Sequence, residues 1–242
     1  MSEAYDVIGY SIANFGKEKN GDSFLFERLE EESLLIAVVA DGVSQQPCDW
    51  LASQTTCQTL IDHFKTNVSQ IDIGKRLSES ILHTNRVVGL TEGKCHKMAS
   101  TLSVVVCSQS EAEFYYANVG DSRIYSLYNG QLEQLTTDNS ISSKERIVTS
   151  AGARMVDRTI LTQVIGRDNI SFPVKVKAIQ KGEIVTLATD GFYDARKAVF
   201  NRLMMEFADN NDFDAGFAQL VDLLKILRGD DLTAIAIRRT TA

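Results

Sequence analysis

The chain has 242 residues, 44% of them hydrophobic and 24% charged, an ordinary globular composition that argues against a disordered or fibrous protein. Its formal net charge is −7, and the absence of a basic stripe argues against a nucleic-acid partner. No apolar run approaches the roughly 20 residues that a membrane-spanning helix needs.

In chain order, the first strand-like runs are Tyr5–Ile12, Ser23–Arg28 and Leu34–Ala40, rich in Val, Ile, Tyr and Phe and bounded by turn residues. Trp50 to Phe64 reads as a helix. Ile73, Leu77, Ile81, Thr84 and Val88 then fall at the spacing of one buried helical face. Further strands are expected at Thr101–Ser108, Glu113–Val119, Arg123–Tyr128 and Gln131–Thr136. Asn129-Gly130 joins the last two as a type I′ hairpin, whose central residues both need positive φ. Strands at Val174–Ile179 and Ile184–Ala188 precede a helix over 194–207. A second helical stripe runs through Phe213, Phe217, Leu220, Leu224 and Leu227, with Asp212 as its N-cap and Gly229 as its stop. Leu232–Arg238 is the closing strand.

This order segregates strands from helices, which predicts an α+β protein with two packed, largely antiparallel sheets and helices on the outer faces. No linker or repeat divides the chain, so residues 1–242 are expected to form one domain. The opening MSEAYDVIGY lacks the basic-then-apolar pattern of a secretory signal. Cys48, Cys57, Cys95 and Cys107 show no CxxC spacing, which suits reduced thiols in a cytoplasmic protein.

Two apolar runs end in an acid and a glycine: LLIAVVADGVS (Leu34 to Ser44) and EIVTLATDGFYD (Glu183 to Asp194). Asp-Gly is a common hairpin pair, but the residues after Gly42 and Gly191 lead into helices, so the hairpin reading fails at both places. Asp121 lies between two apolar strands, Asp231 stands before the last strand, and Asp22 opens the second. Five acids at strand ends can converge at one edge of a sheet stack. Two carboxylates about 4 Å apart repel by several kcal/mol at an effective dielectric of about 20, so a cluster must hold protons or cations. Carboxylates and a backbone carbonyl suit Mg²⁺ or Mn²⁺. Zinc is disfavoured, because His63, His83 and His96 are scattered and none has a cysteine at ligand spacing.

Seven segments in order resemble the motifs of the type 2C protein phosphatases, the metal-dependent serine/threonine phosphatases. They are NGDSFLF, VVADGVS, MASTLSVVV, ANVGDSRIYSLYNGQLEQLTTDNS, LTQVIG, LATDGFYD and GDDLTAIAI, and they span nearly the whole chain. The resemblance implies a four-layer α-β-β-α sandwich and a bacterial-like member of the family. It implies two Mn²⁺ or Mg²⁺ ions bridged by Asp41, with Gly42 contributing its carbonyl. Asp190 and Asp231 would complete one ion's shell, Asp22 would serve the other, and Asp121 with Asp190 would hold a third, weaker ion. A hydroxide between the two ions would attack phosphoserine or phosphothreonine, with Asp41, Asp190 and Asp231 as the catalytic acids. The implied partner is a phosphorylated protein, opposing a Ser/Thr kinase in signalling, with no membrane or nucleic acid and a monomeric state.

The departures from the family pattern are local. Lys17 stands where members carry a phosphate-gripping Arg, with Lys19 close by, and lysine lacks the bidentate fork. Gly21 replaces the family's Glu. The loop VSQQP (Val43–Pro47) lacks the family's histidine, leaving a metal-bound water as the expected acid. Asn139 and Asp194 read as structural loop residues, Phe114-Tyr115-Tyr116 as core, and the segment from Ser140 to Leu161 as a short flap. Two other readings stay open: a catalytically weak, phosphoprotein-binding regulator on the same fold, and a two-metal phosphodiesterase on another scaffold.

Overall fold

A computed structural model describes residues 4–149, 152–227 and 229–240. One five-stranded sheet has the order β1-β12-β11-β6-β7, built from β1 (Tyr5–Ile12), β12 (Leu232–Arg239), β11 (Ile184–Ala188), β6 (Arg123–Tyr128) and β7 (Gln131–Gln134). The other has the order β10-β5-β4-β3-β2, from β10 (Lys175–Ala178), β5 (Glu113–Val119), β4 (Leu102–Ser108), β3 (Leu34–Asp41) and β2 (Asp22–Leu29). Every described ladder is antiparallel. β8 (Ser140–Thr149) and β9 (Gly152–Leu161) form a separate hairpin, so the expected flap is a β-ribbon.

The alternation of side chains across each strand builds three apolar layers. In β3, Leu34, Ile36, Val38 and Ala40 face α1 (Asp49–Thr66) and α2 (Ile73–Gly89), while Leu35, Ala37 and Val39 face the other sheet. In β12, Leu232, Ala234 and Ala236 face α4 (Lys197–Ala208) and α5 (Phe213–Leu227), and Ile235 and Ile237 meet the inner layer. The result is the expected α-β-β-α sandwich. A strand buried on both faces explains the unbroken apolar run of Leu34–Ala40, in which each large side chain contributes roughly 1.5–3 kcal/mol.

Several local expectations hold. Asn129 and Gly130 both have positive φ, 50° and 70°, between paired Tyr128 and Gln131. Asp212 Oδ1 accepts the Ala215 N–H at 3.0 Å, as an N-cap should. Phe114 and Tyr116 lie in the inner layer, with Tyr115 half-buried on the opposite face. The stop at Gly229 adjoins residue 228, outside the described residues.

One boundary shifts and one expectation fails. The helix expected over 194–207 is α4, which starts three residues later, and a separate short helix, α3 (Asp190–Tyr193), precedes it, beginning on the acid of the second Asp-Gly pair. Nor are all four cysteines reduced. Cys48 and Cys95 form a disulfide across 47 residues, while Cys57 and Cys107 are free and buried. Spacing along the chain carried no sign of that pair, because the folding of α1 and α2 brings it together.

Candidate active site

Asp22 begins β2 and Asp41 ends β3, and the two are direct partners in the ladder. The Gly42 N–H donates to Gly21 O at 3.0 Å, carrying the pairing one step past the strands. Thr101 clamps Asp41 from the other side: its N–H donates to Asp41 O at 2.7 Å, and its Oγ1 accepts the Asp41 N–H at 2.9 Å. The glycines after both acids are sterically required. A Cβ on Gly42 would lie 2.1 Å from Asp49 O, and one on Gly191 would lie 1.8 Å from Asp231 O. The Asp-Gly pairs are therefore points of close backbone approach where a strand yields to a helix.

Asp121 is placed by a different device. The preceding Gly120 has φ +98°, and its N–H donates to Asn139 Oδ1 at 3.1 Å. The Tyr193 hydroxyl donates to Asp121 O at 2.8 Å. Arg123 lies 3.8 Å over the Tyr193 ring and pairs with Asp138 at 2.7 Å. Asn139 is thus a structural residue, as expected. The role of Tyr193 had no signal in the sequence, since it joins residues 72 apart along the chain.

Asp41, Gly42, Asp121 and Asp190 line one cleft of about 520 Å³, together with Lys17 and Asp230. Val43–Gln46 and Thr159–Val164, at the base of the β8–β9 ribbon, close its sides. Asp22 and Asp231 are not among the lining residues. Asp22 lies behind Asp41, 5% exposed, with Thr189 Oγ1 donating to its carboxylate at 2.7 Å. Asp231 is 2% exposed, and its carboxylate accepts from Asn14 N (2.6 Å), Gly21 N (2.8 Å) and Lys17 Nζ (2.7 Å). Asp230, passed over in the sequence, is the acid of that pair that faces the cleft. The doublet in GDDL was visible; which member turns outward depends on how the chain enters β12.

Crowding shows in the protonation equilibria. Burial, opposed by hydrogen bonds from Thr189 and Thr233 and reinforced by Asp231, raises the Asp22 carboxyl to about 7. Burial, then Asp121, Asp22 and Asp230, raises Asp190 to about 7 as well. Asp41 is pushed well above the usual carboxylate range by burial and then by Asp22, Asp190, Asp121 and Asp230. Burial, then Asp138, raises Asp121. Such a group favours either protons or cations.

The donor types on the cleft wall are those a hard divalent cation takes: carboxylates of Asp41, Asp121, Asp190 and Asp230 and the backbone of Gly42, with no histidine or cysteine among the described lining residues; the side chains as placed do not form a closed group of three or more ligands. A cationic stand-in is already there. The Lys17 ammonium sits 2.9 Å from Asp230 Oδ1 and 2.7 Å from Asp231 Oδ2. Lys17, expected to grip substrate phosphate, is thus engaged with acids. Lys19 lies 3.5 Å over the Trp50 ring.

Residues 14–231 match the family model described as protein phosphatase 2C. The chain belongs to that family. This phosphatase 2C is similar to a protein phosphatase 2C-type protein of Streptococcus pyogenes, 25% identical over 230 residues, covering 91% of this chain and 92% of that one. It is similar also to the serine/threonine phosphatase Stp of Listeria monocytogenes, 32% identical over 130 residues, about half of each chain (51% and 49%). Its fold matches the catalytic domain of the serine/threonine protein phosphatase PstP in complex with two manganese ions, with a TM-score of 0.74, 16% identity and coverage of 98% and 99%. The resemblance to bacterial members holds, and the chain is a protein phosphatase. Among its described residues no helix is long and apolar enough to cross a membrane.

Proposed function

We propose that this phosphatase 2C hydrolyses phosphoserine and phosphothreonine in protein substrates, in the cleft formed by Asp41, Asp121, Asp190 and Asp230, with two Mn²⁺ or Mg²⁺ ions as cofactors and a third, weaker one. The observation that carries the reading is that four carboxylates from distant parts of the chain line one cleft together with Gly42. Support for the residue specificity comes from the Listeria relative, and for manganese from the PstP complex.

Asp41, Asp190 and Asp230 are the proposed holders of one ion, Asp41 and the Gly42 carbonyl of the other, and Asp121 with Asp190 of the third. Asp22 acts from behind, holding Asp41 in place rather than contacting a cation. The ions, once bound, supply a hydroxide nucleophile at neutral pH and offset charge on the phosphoryl oxygens. The remaining tasks fall to the chain. Desolvation of Asp41, Asp121 and Asp190 makes their hold on cations stronger than in water, while Asp230 is half-exposed. With a divalent ion held at Asp230, Lys17 would keep Asp231 as its acid partner and offer the rest of its charge to the substrate phosphate as a point charge. The β8–β9 ribbon, its base on the cleft wall, borders the path of the protein substrate.

The test is incubation with a phosphothreonine peptide with and without manganese or chelator, alongside Asp190→Ala. Manganese-dependent release of phosphate, abolished in the variant, supports the reading. Tight phosphopeptide binding without turnover would favour the regulator; cleavage of a diester but not of the peptide would favour a phosphodiesterase.

A further inference from the structure

We infer that the Cys48–Cys95 disulfide is a reversible thiol modification site that sets the cation affinity of the cleft. The inference rests on the proposed cation site. The bond joins two segments that both touch it. Cys48 ends the cleft loop that begins at Val43, and it is followed by Asp49, whose carbonyl packs against Gly42. Cys95 closes a 3-10 turn, Gly93–Cys95, and leads into Ala99–Thr101. Ala99 O accepts the Val43 N–H at 2.9 Å, Ser100 bridges to Gly42, and Thr101 clamps Asp41.

The loop is therefore pinned at its near end by backbone pairing and at its far end by a covalent link. Cutting that link frees the first turn of α1 to move relative to the 95–101 segment. Asp49 then no longer holds Gly42 against its neighbours, and the carbonyl proposed as a ligand loses its fixed direction. Groups that orient ligands in this way typically govern metal affinity by 10- to 100-fold.

Both half-cystines are partly exposed, whereas Cys57 and Cys107 are buried. A reductant can reach the bond and leave the other two thiols untouched. Cys95 is flanked by Lys94, His96 and Lys97, and Cys48 occupies the N-cap of the 18-residue α1. Both surroundings favour a departing thiolate. The co-reactant is a dithiol. One of its thiolates attacks a sulfur of the pair, breaking the S–S bond and forming a mixed disulfide. Its second thiol then displaces the protein sulfur, so Cys48 and Cys95 end as thiols and the dithiol ends as a disulfide, with two electrons and two protons transferred.

The experiment compares four samples: the native protein prepared without reductant, the same protein reduced, Cys48→Ser and Cys95→Ala. Manganese binding is followed by calorimetry. Emission is read from Trp50, the chain's one tryptophan, two residues from Cys48. Mass spectrometry of the native protein should find one disulfide between Cys48 and Cys95. Reduction and both variants should weaken manganese binding roughly tenfold and shift Trp50 emission, with far-UV circular dichroism unchanged. Equal affinity in all four samples overturns this inference and leaves the cation site standing. Absence of binding in every sample overturns the cation site and the inference with it. Loss of secondary structure in all three samples lacking the bond assigns it to the fold, and overturns its role as a switch.

Discussion

Asp22 and Asp41 oppose each other across the β2–β3 ladder, a buried and a part-buried carboxyl at the same end of one sheet. Their crowding makes the cation-free protein sensitive to alkali. Asp22 and Asp190 are raised to about 7 in the fold, against roughly 4 in an unfolded chain. Their contribution is complete below pH 4 and is lost as pH rises through about 7, because the unfolded chain gives up these protons first. Calorimetry in chelator should show the melting temperature falling by several degrees from pH 5 to pH 8. Asp22→Asn should flatten that slope, and manganese at pH 8 should reverse the loss.

Asp230 and Asp231 should separate function from stability. Asp230→Ala removes a half-exposed cleft carboxylate, so manganese affinity and phosphatase activity should fall at least tenfold with little change in melting temperature. Asp231→Ala strands the N–H groups of Asn14 and Gly21. It should destabilise the fold by about 2–3 kcal/mol, read as a lower midpoint in urea. Equal loss of manganese binding with no change in stability for Asp231→Ala would return the ligand role to Asp231.

Lys17 pairs with Asp230, so a cation at the proposed site would compete with it. Lys17→Met should lower the half-saturating manganese concentration severalfold while raising KM for a phosphopeptide. Opposite movements of two constants in one variant would identify a side chain that leaves Asp230 when the ion arrives. A Lys17→Met variant that needs more manganese than the native protein would contradict the exchange.

Tyr193 positions Asp121 through its hydroxyl. Tyr193→Phe removes one hydrogen bond and keeps the ring under Arg123, so the cost should be about 1 kcal/mol. The melting temperature should drop by roughly 2–4 °C, and activity should fall severalfold at limiting manganese but recover at high manganese. Failure to recover would point to a role for Tyr193 beyond holding Asp121.

Much of this architecture was legible along the chain, because a strand buried on both faces and a helix buried on one leave periodic apolar signatures. Leu34–Ala40, the 73–88 stripe and the Asn129-Gly130 turn all appear where the spacing put them. The Asp-Gly pairs could be recognised as something other than hairpins from their flanks alone. Boundaries near the site were harder. α3 is only four residues long, too short to leave a period, and the helix expected over 194–207 did not include it.

What the sequence determined by itself is the order of elements, the layers they build and the set of acids set at strand ends; these depend on local periodicity and on residues near one another in the chain. What only the tertiary structure decided is which acids share the cleft. Asp230 rather than Asp231 turns toward it, Asp22 stands behind Asp41, Lys17 pairs with acids, and Cys48 meets Cys95. Each of these depends on how segments tens to hundreds of residues apart are packed, and a side chain's direction there is set by backbone bends and steric fit that leave no pattern in the linear chain.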